Sequence, residues 1–286
     1  MSRRARTLAA VLAGAFAIAA APPAAAQGVS GLTGAGEPLE IQAEDGIAWR
    51  RQDRVYVARG NASATRGELT VRADTLTAHY REKRDGDGTT IHRIVAEGAV
   101  ELATPDQTAY GSRGVYDLDA AVMVLRGSGL RLVTGAETVT AEDSLEYWPE
   151  RRLAVARGNA VARRQLAGGG ERRVAAEILA AYLAGDGGGD AERIRRIEAF
   201  DNVRMASPDT VVRGDKGVYI ADSRMATLVG AVRISRGENQ LNGGYAEVNL
   251  ATGVSRLLGA PPDSEAKARV RGLLRPREDG ITAPDR

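Results

Sequence analysis

An all-β fold, two stacked antiparallel sheets built from two-strand repeats, is what this chain predicts, and three observations carry that prediction. The hexapeptide Val57-Ala58-Arg59-Gly60-Asn61-Ala62 returns unchanged 98 residues later, at Val155 to Ala160. Ala43-Glu44-Asp45 and Ala141-Glu142-Asp143 keep the same spacing, which marks a structural repeat. Short alternating segments end at Gly or polar turns throughout, and no stretch holds a convincing helical period.

The repeat has a finer grain. An extended, Gly, extended phrase recurs at 57–64, 95–102, 124–132, 155–163 and 228–234, with Asp201-Asn202 replacing the Gly at 200–205. A second set lies between, at 72–80, 110–118, 139–147, 174–182, 212–220 and 241–250. Each unit is then two strands in about 30–38 residues. Roughly seven units at ~4.8 Å per added strand predict a body on the order of 35 Å long, with open edges at both ends.

Taken in order, residues 1–26 read as a signal peptide. Arg3, Arg4 and Arg6 precede an apolar run at 8–21, and Ala24-Ala25-Ala26 suits cleavage before Gln27. Without those three arginines the net charge of +2 becomes −1. The basic balance therefore says nothing of nucleic acid. Residues 27–36 read as a flexible leader.

Pro38 opens a strand in which Leu39, Ile41 and Ala43 share one face and Glu40 and Gln42 the other. Alternation resumes at Leu69/Val71/Ala73, Leu76/Ala78/Tyr80, Val100/Leu102, Leu130/Leu132 and Val232/Ile234. Residues 50–53 and 117–119 read as turns. The Ala- and Leu-rich stretch 174–183 has helical propensity, but the repeat register gives it a strand slot. From Asp263 to Arg286 the chain is charged, without period, and reads as a disordered tail.

With no cysteine, the fold must be held by its core, and Phe200 is the only phenylalanine beyond the leader. Thin layers of Val, Leu, Ile and Ala follow. No catalytic residue is assigned. His79 and His92 lack a His or Cys partner at metal-ligand spacing, and no nucleophile elbow or phosphate loop occurs. Glu44-Asp45 and Glu142-Asp143 read as turn chemistry rather than paired catalytic acids. Gly60-Asn61 and Gly158-Asn159 read as bends between sheets. The aliphatic inward faces can close as a core or splay to admit alkyl chains, each buried CH₂ contributing about 0.8 kcal/mol.

The opening Pro38-Leu39-Glu40-Ile41-Gln42-Ala43-Glu44, the Val-Ala-Arg-Gly-Asn-Ala phrase and Leu69-Thr70-Val71-Arg72-Ala73-Asp74 resemble the OstA-like (LptA) family of lipopolysaccharide-transport periplasmic proteins. The resemblance covers 37–135 and extends more weakly to about 258. It implies an OstA-like twisted β-jellyroll, 37–135 as a first copy and 136–262 as a second in one continuous stack. It implies a non-enzymatic periplasmic carrier that holds the lipid A acyl chains of lipopolysaccharide and passes them from an inner-membrane transporter to an outer-membrane translocon. Partners would be LptC-like and LptD-like proteins through edge strands, with head-to-tail self-association, no nucleic acid, no cofactor and no metal. The lipid-binding residues expected are Leu39, Ile41, Ala43, Leu69, Val71, Leu76, Val100 and Leu102, with Leu39 and Ile41 matching apolar positions of the family's opening pattern. An anchored LptC-like partner is the alternative within that pathway. A β-helix enzyme on polysaccharide would need clustered acids, and an outer-membrane barrel aromatic girdles.

Overall fold

In the computed structural model the described residues are 39–82, 88–135, 137–166, 169–184, 193–249, 251–252, 254–265 and 268–275. The signal peptide and leader expected over 1–36 lie outside them. Among the described residues the chain forms eighteen strands in one antiparallel sheet, and its one short helix is a single 3-10 turn at Pro149–Arg151.

The strands are β1 Glu40–Gln42, β2 Ile47–Arg50, β3 Val55–Arg66, β4 Leu69–Glu82, β5 Thr89–Ala103 and β6 Gln107–Asp117. Then come β7 Val122–Arg126, β8 Arg131–Thr134, β9 Glu137–Thr140, β10 Ser144–Trp148, β11 Leu153–Gln165 and β12 Glu171–Ala184. The last are β13 Arg193–Ser207, β14 Thr210–Ile220, β15 Met225–Arg236, β16 Asn239–Asn249, β17 Val254–Leu258 and β18 Arg271–Leu273. The stretch that could have been helical is β12, because β11 and β13 satisfy its backbone along both edges.

Each long strand bends at mid-length. The β3/β4 register shifts between Arg59 and Ala62, β4/β5 between Arg72 and Thr75, and β11/β12 between Arg157 and Ala160. The bend folds the sheet over, so one sheet supplies two walls with their apolar faces inward. The two stacked sheets expected are these two halves. β1 and β2 pair with opposite ends of β3 and so form one broken layer. The pairs β7/β8, β9/β10 and β17/β18 do likewise, so the eighteen strands make fourteen layers. Each recurring phrase is thus a whole bent layer, not half of a two-layer unit with one spacing. Fourteen layers at ~4.8 Å give a stack of about 60 Å, which corrects the shorter length expected.

The corners explain the repeated hexapeptide. Gly60 and Asn61 have φ of 75° and 42°, and Gly158 and Asn159 have 79° and 43°. A Cβ on Gly60 would fall 2.6 Å from the Asp45 carboxyl carbon, and one on Gly158 would fall 2.6 Å from that of Asp143. Asn61 Nδ2 donates to Glu44 (2.9 Å) and Asn159 Nδ2 to Glu142 (2.8 Å). The acids therefore clasp the neighbouring corner, as turn chemistry predicted. In the divergent copy, Asp201 and Asn202 take φ of 61° and 53°, and Asn202 Nδ2 donates to Glu177 (3.2 Å). Asp and Asn tolerate this region better than other side chains do.

Two buried clusters fill the space between the walls. One gathers Leu69, Leu76, Val100, Leu102 and Leu125; the other gathers Val212, Leu228, Val232, Ile234 and Val248. Leu145 packs against both. Across this seam β7 pairs with β10 and β8 with β9, so backbone pairing is continuous. Fragments 27–135 and 136–262 are each expected to unfold at a lower urea midpoint than the whole chain, since separation strips one layer of partners from each. Equal midpoints alone and together would show two independent domains.

The tail expected to be disordered from Asp263 is ordered in part. Arg271–Leu273 pairs with Gln240 to Asn242, and the Arg275 N–H donates to Asn239 Oδ1 (2.9 Å). β17 covers only the 245–249 end of β16, which leaves the other end free to take those three residues. A three-residue strand is too short to show a period.

Candidate functional site

The expected site residues all face inward, but they divide into two groups. Leu69, Leu76, Val100 and Leu102 are buried in the first cluster, while Leu39, Ile41, Ala43 and Val71 pack against it half-buried. At the β1/β2 end the walls part over an apolar trough in two joined crevices. One, shallow and open to solvent, is lined by Leu39, Val71, Ile94, Leu102, Tyr116 and Met123 among others. The second, also shallow, is lined by Leu39, Ile41, Ile47, Tyr56, Leu76 and Ile94 among others. Leu39, Ala64 and Ile94 line both.

Five of the eight expected residues therefore line the trough: Leu39, Ile41, Val71, Leu76 and Leu102. Leu69, Val100 and Ala43 do not. Leu69 and Val100 are 2% and 1% exposed, in closed core. Small aliphatic side chains from both walls interlock there, and close packing leaves no room for a guest.

Sequence reasoning missed Ile47, Tyr56, Ile94, Tyr116 and Met123. The signal for Ile47 was its alternation with Trp49 in one strand, which puts both on the trough side. Trp49 stacks on Tyr56 (centroids 5.7 Å), Tyr56 meets Tyr80 (5.0 Å), and Trp49 Nε1 donates to Tyr80 Oη (2.8 Å). Ile47 and Trp49 stay 52% and 50% exposed at this end layer. The opposite end layer exposes Val254 and Leu273 likewise, at 57% and 62%.

The two histidines meet on neighbouring strands, with centroids 6.2 Å apart. Among the described residues no group of three or more His, Cys, Asp or Glu is placed to hold a metal. Burial holds the His79 pKa below its ordinary value, aided by repulsion from His92 and Arg93. Folded His79 thus takes up its proton at lower pH than the unfolded chain does. Its contribution is present above the unfolded value of about 6.5 and is lost as pH falls towards the folded one. Urea midpoints are expected to decline over that window, and His79→Gln to flatten the decline. An unchanged slope would mean that His79 does not couple to folding.

Residues 40–147 match the family described as LptA/(LptD N-terminal domain) LPS transport protein. That stretch resembles a lipopolysaccharide-transport domain. It covers 108 of the 286 residues and contains every residue that lines the trough except Leu39, ending within β10. The family it matches is one of transport components, not of enzymes. Among solved structures the chain is similar to LptH, the LptA homologous periplasmic component of the lipopolysaccharide transport device of Pseudomonas aeruginosa. The identity is 20%, over 43% of this chain and 83% of that one, with a TM-score of 0.36. No curated protein matches the chain.

Proposed function

We propose that this protein is a periplasmic lipopolysaccharide carrier that shelters lipid A acyl chains in the trough under β1. The single observation behind this reading is an open apolar trough whose lining, Leu39 apart, lies inside the stretch that matches a lipopolysaccharide-transport family. Water leaving Leu39, Ile41, Val71 and Ile94 as a chain enters supplies the driving force, about 0.8 kcal/mol for each CH₂ buried. The closed core beyond would let the lipid sit at the β1/β2 end rather than run through the whole stack.

The end layers would meet the partners. Among the described residues both leave one edge of an outer strand unpaired, and both expose large apolar side chains, the combination that accepts an added strand. LptC-like and LptD-like proteins, or a second copy of this chain, are the partners proposed. The second half, 136–262, is proposed as another copy of the same domain, since its corner at Gly158 repeats the corner at Gly60.

Photo-crosslinkers at Leu39 and Ile41 are expected to capture lipopolysaccharide in cells, and one at Gln42, on the outward parity, is not. Failure of capture at both Leu39 and Ile41 would remove the carrier reading.

A further inference from the structure

We propose that the turn between β2 and β3 is an anion site for the phosphate headgroup of the amphiphile whose chains enter the trough. This rests on the carrier reading and adds where the charged end of the ligand sits.

The turn and its flanks run Arg50-Arg51-Gln52-Asp53-Arg54, three arginines against a single acid. All five are exposed, and among the described residues none of the three arginines has an ion-pair partner. Elsewhere on this half of the molecule, Arg72, Arg81 and Arg93 each have a carboxylate. The Arg51 charge and the backbone of the turn are also held in place. The Arg51 guanidinium lies 4.1 Å from the centre of the Trp49 ring, and the Tyr80 N–H donates to the Arg54 carbonyl (3.0 Å). Trp49 in turn is fixed by Tyr56 and Tyr80, and Tyr56 lines the trough. One continuous surface thus runs from apolar trough through aromatic ring to the unpaired Arg51, with Arg54 in the same turn and Arg50 on the other face of β2.

A ligand that matches this surface is apolar at one end and anionic at the other. Guanidinium groups present fixed forks that match phosphate oxygens, and a ring beneath the cation leaves its outer N–H groups free to donate. An uncharged amphiphile would use the trough and leave the arginines unused.

The test uses the full chain carrying Trp148→Phe, so that Trp49 is the sole tryptophan and reports directly. Dodecyl phosphate and dodecyl maltoside, each below its micelle concentration, are titrated against its fluorescence. Dodecyl phosphate is expected to bind about tenfold more tightly, and the Arg50→Gln/Arg51→Gln/Arg54→Gln variant to lose that tenfold while holding dodecyl maltoside unchanged. Arg59→Gln/Arg113→Gln/Arg126→Gln, the same change in net charge on the exposed outer face, should bind both as the parent does. Equal dodecyl phosphate affinity in parent and turn variant would overturn the headgroup site and leave the carrier reading standing. An equal loss in the outer-face variant would overturn it too, as a net-charge effect. Inorganic phosphate bound as tightly as dodecyl phosphate would make this a free-anion site and also refute the proposal. If neither amphiphile binds the parent, the carrier reading fails and the headgroup site with it.

Discussion

Ile41→Asp is expected to abolish lipid binding by the purified protein, while Gln42→Asp one residue on leaves it within about twofold. Ile41 pairs with Ala64 in β3 and lines the trough. A carboxylate there must lose water to let an alkyl chain pass, in a crevice whose lining is aliphatic apart from Tyr56. Gln42 pairs with Ser63, is exposed, and donates to Glu40 (2.8 Å) on the outer side. Period-2 parity alone separates the two substitutions. Since β1 is also an end layer, loading in cells would mix lost binding with lost docking. Binding is therefore measured without the transporter, with the urea midpoint of each variant taken alongside. Equal lipid affinity in two folded variants would mean that the trough does not hold the lipid.

Gly60→Ala and Gly158→Ala are each expected to cost about 2–4 kcal/mol of stability, from a strained φ and a collision together. The added methyl would meet the carboxylate of Asp45 or Asp143, and also that residue's backbone nitrogen, at 2.9 and 2.8 Å. Removing the carboxylate as well, with Asp45→Ala, should recover only part of the loss, because the backbone clash and the positive φ persist. Gly46→Ala is the control. Its φ is 95° but nothing lies within 4 Å of the added carbon, so only the conformational cost of about 1 kcal/mol applies. Urea midpoints decide between them. A Gly60 variant no less stable than the Gly46 variant would refute the clasped corner.

The bend was legible because it leaves a mark in residue type. Gly-Asn at 60–61 and 158–159, with an acid one layer away, recurs since few residues accept that backbone. The inward parity of Leu69, Val71, Leu76 and Ala78 was legible for a similar reason. A sheet buried on one face sorts apolar from polar along each strand. The tail strand at Arg271–Leu273 was not, because what orders it is a vacant edge on β16, made by residues thirty positions earlier.

By itself, then, the sequence determined the all-β class, the strand slots, the corners and the side of each strand that turns inward. These follow from local conformational preference and period, which act within a few residues. Only the tertiary structure decided where the inward face is a core and where it is a trough. Val100 and Ile41 carry the same kind of side chain at the same parity, yet one is sealed and the other lines free space. The difference is how completely other layers pack over each. That packing is set by side chains far apart in sequence, and it thins at the end of the stack, where among the described residues β1 and β2 pair with β3 alone. The aromatic brace of Trp49, Tyr56 and Tyr80, from three separate strands, exists for the same reason.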